Sequence, residues 1–228
     1  MKMVLLVGLA SCLASLLAQD YVLAFAGKDS NSPDEFSFVA LNDIPMGSQI
    51  YFTNLDWDNS MGQFTGTKGT LLFQAAATIT RGTVVQVSET TNDNFTVTGA
   101  TGSATLVGLT SWSALGADPH YAFTASNAMS PTTSVTRVYA LIESEMNAMP
   151  ASLDPRTGTN SSPNAVVCDF TDPMNNIVFA DYSADRSMAT PASLANPASF
   201  TTGASSTLDL TTFTSGSLPV VLDSFQVE

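Results

Sequence analysis

The sequence predicts an all-β fold: a two-sheet antiparallel β-sandwich with Greek-key or jelly-roll connections and one or two short helical turns. Three observations predict it. Apolar residues come in short runs broken by Gly, Pro, Asn, Asp and Ser. Several of those runs alternate with period two, the mark of strands with unequal faces. Thr and Ser are abundant, and β-branched Thr suits a pleated surface better than a helix. About ten or more short strands beside so little helix point to two packed sheets.

The elements follow in order along the chain. Tyr21, Leu23 and Phe25 alternate, as do Phe36, Phe38 and Ala40 within 35–41, and Ile50 and Phe52 within 49–53. Further strands are expected at 69–73, 84–87, 95–97, 104–107, 121–124, 135–142, 166–170, 177–180 and 219–227. Inward positions should include Leu23, Phe25, Phe36, Phe38, Ile50, Phe52, Leu72 and Val85, which alternate with polar neighbours or sit centrally in apolar runs. Two helical stretches are expected: two turns over 140–149, and one turn over 192–196 stopped by Pro197.

Composition sets the class of partner. The 228 residues carry 20 Asp+Glu against 7 Lys+Arg, a formal net charge of -13, yet charged residues are only 12% of the chain. The acidity therefore comes from scarce bases. Nucleic acid is excluded as a partner, because neutralising phosphates needs clustered Lys and Arg, and an anionic membrane surface is disfavoured for the same reason.

Met1-Lys2-Met3 and the apolar run Val4 to Ala18 read as a signal peptide over 1–18, too short for a comfortable bilayer span. A sandwich domain over 19–202, a Thr/Ser/Gly-rich linker over 203–217 and a strand-like segment over 218–228 complete the expected organisation. No membrane span is expected, and the protein is placed outside the cell, secreted or on the cell surface. Once Cys12 leaves with the signal, Cys168 is the one cysteine remaining, so no internal disulfide is expected; Cys168 reads as a small buried hydrophobe.

A search for catalytic chemistry yields little. His120 is the single histidine and reads as a turn residue beside a strand. The chain has no G-x-S-x-G, no G-x-G-x-x-G and no P-loop, and its two cysteines do not make a structural zinc site. The pair Glu143 and Glu145 would support glycoside hydrolysis only with a second carboxylate across a cleft. No enzyme activity and no required cofactor are expected.

The candidate site is the loop Asp56-Trp57-Asp58-Asn59-Ser60. Asp56, Asp58 and Ser60 offer alternate oxygen ligands of the kind hard Ca²⁺ prefers, so calcium is the one metal the sequence offers a place for, although the spacing is not that of an EF-hand. Trp57 and Trp112 are the candidate ligand-binding aromatics, reading either as stacking platforms or as lids on a core.

The segments Asp34-Glu35-Phe36-Ser37-Phe38-Val39-Ala40-Leu41, Asp43-Ile44-Pro45-Met46-Gly47-Ser48, Ile50-Tyr51-Phe52-Thr53-Asn54, Trp57 and Gly69-Thr70-Leu71, with Ala192 to Phe200 later, resemble a family of largely uncharacterised exported β-rich surface domains of Bacteroidota and other bacteria. Leu218 to Phe225 is similar to the segment that opens the sorting region of type IX secretion cargo. The resemblance implies a sandwich fold and an extracellular place rather than a reaction. Asn54 and Lys68 stand where that family often has acids.

Together these readings lead to an exported, non-catalytic sandwich module for cell-surface assembly, adhesion or binding, with a protein or glycan partner. The alternative is a carbohydrate-binding or carbohydrate-active secreted protein, calcium-dependent or not. The two differ in whether Trp57 and Trp112 are exposed in one groove with carboxylates.

Overall fold

The computed structural model describes residues 23–31, 33–58, 60–91, 93–107, 111–112, 118–143, 161–170 and 177–214. Among these residues the fold is a two-sheet sandwich, as the alternation predicts. The first sheet comprises β1 (Leu23–Asp29), β2 (Glu35–Ala40), β7 (Val84–Thr91), β8 (Asn94–Thr98), β13 (Phe179–Tyr182) and β14 (Phe200–Gly203), in the order β14-β13-β1-β2-β7-β8. The second comprises β3 (Gln49–Thr53), β6 (Thr70–Ala75), β9 (Gly102–Val107), β10 (His120–Ala125), β11 (Val135–Glu143) and β12 (Ser161–Asp169), in the order β12-β11-β10-β3-β6-β9. A separate two-stranded hairpin joins β4 (Asp56–Asp58) to β5 (Gln63–Thr65).

The pairing is antiparallel throughout except between β11 and β12, which run parallel. Parallel neighbours need a crossover of a dozen or more residues, and the stretch 144–160 between them is long enough to supply it.

The core between the sheets is a stack of phenylalanines. Phe36 and Phe38 of β2 meet Phe52 of β3 at ring-centroid distances of 4.7 and 5.3 Å, Phe25 reaches Phe52 at 6.0 Å, and Phe38 reaches Phe73 at 5.5 Å. All five rings are buried. Full burial of one such side chain is worth about 1.5 to 3 kcal/mol.

A bulge in β1 decides what faces where. The β1–β2 register slips between Phe25 and Gly27, so the alternation that points Phe25 inward restarts with Lys28 inward and Gly27 and Asp29 outward. Without the slip, Asp29 would enter the apolar core.

Two expectations are corrected. Leu72 is only partly buried and packs on the outer face of the second sheet, while its neighbours Leu71 and Phe73 are in the core. In a run apolar at every position, centrality does not reveal the face. The helix expected over 140–149 does not begin where it was placed: Ala140 to Glu143 are the end of β11, which pairs β10 on one side and β12 on the other, and the rest of that stretch lies outside the described residues. Its alanine and glutamate content fits a helix, but sheet pairing on both sides overrides it. The second helical turn forms at Pro191–Leu194 as α1, where Thr190 caps the N–H of Ser193 and Pro occupies the first turn. The strand expected at 219–227 lies outside the described residues.

Candidate functional site

The hairpin β4–β5 that carries the sequence-predicted site lies across the outer face of the second sheet. Period two sends Tyr51 to that face between the inward Ile50 and Phe52, and Tyr121 and Phe123 join it. Leu55 and Phe64 from the hairpin region cover them, Phe64 at 4.9 Å from Tyr121 and 5.0 Å from Phe123. Trp57 meets Phe64 edge-on at 5.1 Å and is half-buried. Its indole therefore serves the second apolar cluster as a cover.

Asp56 is exposed, and Asp58 closes the hairpin's turn. One carboxylate oxygen, Asp58 Oδ1, accepts from the Ser60 N–H at 2.7 Å, the Ser60 hydroxyl at 2.7 Å and the Met61 N–H at 3.1 Å, while the Gly62 N–H reaches the Asp58 carbonyl at 2.8 Å. The Ser60 hydroxyl, then the Met61 N–H, hold the Asp58 carboxyl below its ordinary value. Asp58 and Ser60 are thus in direct contact, and Asp56 stands two residues before Asp58 on the same strand. Among the described residues no group of three His, Cys, Asp or Glu side chains converges as a metal site would require.

Trp112 is elsewhere. It is 3% exposed and lies in the core between the sheets, its ring 5.8 Å from Phe36, 5.8 Å from His120 and 6.4 Å from Phe95, while its backbone N–H donates to Asp93 Oδ1. The two tryptophans occupy opposite faces of the second sheet and share no groove.

The residues best suited to nucleophilic or acid–base work also point inward. His120 is 2% exposed, its Nδ1 3.3 Å from the Asp118 carbonyl, which also accepts from Lys28 Nζ at 3.3 Å. Burial, then the Lys28 charge, push the imidazole down to about 3, so it is neutral at physiological pH. The Asp118 carboxylate is ion-paired to Lys68. Across the same sheet the register aligns His120 with Ile142 and Ile142 with Cys168. Burial and the neighbouring Asp169 charge raise the Cys168 thiol to about 12, leaving it protonated and unreactive. Glu145 lies outside the described residues.

A second site emerges on the outer face of the first sheet. A polar cleft of about 360 Å³ is lined by Asp29, Asn31, Pro33, Glu35, Gln86 and the segment Ser205 to Thr207. Register places Asp29 directly opposite Glu35. Asp29 Oδ1 accepts from the Asn31 N–H at 2.9 Å and the Ser205 hydroxyl at 2.8 Å, and Ser205 in turn accepts from the Asn31 side-chain amide. Glu35 Oε2 accepts from the Gln86 amide and the Ser88 hydroxyl, each at 2.7 Å. Nothing in the sequence joins these residues, because Ser205 is 176 positions from Asp29. The one local signal was the acid after Lys28, whose outward turn depends on the bulge.

The cleft's far wall belongs to residues 204–214, inside the stretch whose composition marks a linker. They have no regular secondary structure, yet Leu208 and Phe213 are buried. A Cβ at Gly27 would stand 2.8 Å from Leu208 Cδ2 and 2.9 Å from the Ala180 carbonyl, so glycine is what lets this segment lie so close. Arg186 fastens it, donating to the carbonyls of Thr211 at 2.8 Å and Asp209 at 3.0 Å, pairing with Asp209 Oδ2 at 3.3 Å and stacking over Phe213 at 4.6 Å. Asp181 lies under the same guanidinium at 3.9 Å. Burial raises its carboxyl to about 6 despite the Asp209 N–H it accepts.

No family model, no curated protein and no solved structure matches this chain.

Proposed function

We propose that this chain is an exported, non-catalytic β-sandwich module that works at the cell surface in binding, adhesion or assembly. One observation carries the reading: the single histidine and the buried Cys168 are enclosed between the sheets in inert protonation states, while polar side chains line a cleft on the outside. An active site needs its acid, base or nucleophile within reach of substrate. A binding module needs only a shaped surface on a rigid scaffold, and a sandwich supplies it. The apolar segment before Gln19 and the resemblance to exported surface domains support the extracellular setting.

The carbohydrate reading keeps one supporting observation, the half-buried Trp57 between Asp56 and Asp58. Trp112 contributes nothing to it from inside the core.

The test is a binding screen of the full chain against arrays of glycans and of cell-surface proteins, with and without Ca²⁺, with mass analysis of whatever is captured. Capture without chemical change of the partner is the expected result. Turnover of a captured glycan would overturn the non-catalytic reading. Intact mass of exported material checks the other half: a start near Gln19 is expected, and retention of residues 1–18 would overturn export.

A further inference from the structure

The cleft on the outer face of the first sheet is built around two carboxylates that are held but not used up. Asp29 is 5% exposed, and both of its hydrogen bonds go to Oδ1; both of Glu35's go to Oε2. Among the described residues Asp29 Oδ2 and Glu35 Oε1 accept no hydrogen bond and neither carboxylate has an ion pair. Two like charges directly opposed on neighbouring antiparallel strands are unfavourable unless something lies between them. The nearest lysine in sequence, Lys28, turns to the other face of the sheet and bonds the Asp118 carbonyl.

We propose that this cleft receives an arginine side chain of a basic partner protein. This rests on the binding-module reading and names the chemistry of its ligand. A guanidinium offers a planar fork of N–H donors that can engage two carboxylates on adjacent strands at once, where an ammonium presents a point charge. Its charge relieves the opposition of Asp29 and Glu35, which a neutral sugar hydroxyl does not. Among the described residues no aromatic ring lines the cleft to stack on a sugar face. The side-chain amides of Asn31 and Gln86 and the hydroxyls of Ser205 to Thr207 complete a polar wall for the peptide backbone around the arginine. A net charge of -13 steers such a partner in from a distance.

The experiment titrates isotopically labelled full-length protein with the peptide Gly-Arg-Gly and follows backbone and side-chain amide signals. Saturable shifts at Asn31, Gln86 and Ser205 to Thr207 are expected, absent with Gly-citrulline-Gly, whose side chain has the same shape without the charge. Glu35→Gln, which keeps an oxygen for Gln86 and Ser88, should weaken binding about tenfold or more. Thr207→Arg, which leaves both carboxylates untouched and brings a tethered guanidinium to the rim, should abolish it. Equal shifts with citrulline, with glucose or with Ca²⁺ would overturn the proposal, as would shifts spread over the acidic surface and unchanged in Glu35→Gln. A chain that ignores the arginine peptide yet captures a partner in the array screen loses this ligand class but keeps its role as a binding module.

Discussion

Each sheet of the sandwich has an outer face that is covered, and the two covers are made of different chemistry. Over the second sheet the β4–β5 hairpin lays down Leu55, Phe64 and Trp57 on Tyr51, Tyr121 and Phe123, and the contact is apolar throughout. Over the first sheet residues 204–214 are pinned by one arginine, two buried apolar side chains and a serine hydroxyl, and a cleft remains beneath. An apolar cover is held by the area it buries, whereas a polar cover is held at points and leaves space between them. The candidate binding surface therefore lies under the looser of the two covers.

The comparison makes its largest prediction at Phe64. If the hairpin caps a genuine second core, Phe64→Ala should cost about 3 to 5 kcal/mol in urea melts, the range also expected for Phe38→Ala between the sheets. A loss below about 1 kcal/mol at Phe64 would reduce the hairpin to decoration. On the other cover Arg186→Met should cost about 2 kcal/mol, less than breaking a fully enclosed ion pair because Asp209 stays in water. Hydrogen exchange should then speed up across 204–214 and leave β3 and β10 protected; uniform loss of protection would mean that the two covers unfold together.

Acidity sharpens the contrast with effects of opposite sign. His120 falls from 6.5 in the unfolded chain to about 3 in the core, so its contribution to stability is full above 6.5 and is lost as pH falls toward 3. Asp181 rises from 3.8 to about 6, so its contribution is full below 3.8 and is lost as pH rises through 6. Relative to wild type, His120→Leu should gain as pH falls from 6.5, and Asp181→Asn should gain as pH rises from 4 to 7. Urea midpoints across that range check both, and parallel profiles for variant and wild type would refute the assignment.

The smallest effect belongs to the hairpin turn. Because Asp58 Oδ1 is already engaged by three donors, millimolar Ca²⁺ should shift the melting temperature equally in wild type and in the double variant Asp56→Asn, Asp58→Asn, through general screening. A shift confined to wild type would make the turn a calcium site.

What was legible in the sequence follows the same division. Strands whose outward positions carry polar or hydroxyl-bearing side chains, such as Glu35 and Ser37 in 35–40 and Gln49, Tyr51 and Thr53 in 49–53, announced both their extent and their inward residues, since alternation is read directly. Leu72 was misread because it stands between the apolar Leu71 and Phe73, and a run apolar at consecutive positions shows no alternation to tell its partly buried outward residue from its core neighbours. The hairpin β4–β5 and the strand β14, three or four residues each, are too short to show a period. Trp57 as a lid was within reach of the sequence; the cleft was not. Its walls come from three strands and a distant segment, and its orientation hangs on a one-residue slip in β1 that no local pattern advertises.

The position of β1 has a consequence in time. It is the first described strand, yet it lies between β2 and β13, and β13 ends at Tyr182. The first sheet is therefore left with an unpaired edge at β1 until most of the chain is available, and closing it brings together residues 150 or more positions apart. A chain truncated anywhere before Phe179 would present Leu23–Asp29 as a bare hydrophobic edge, ready to pair with another copy instead of with its own end.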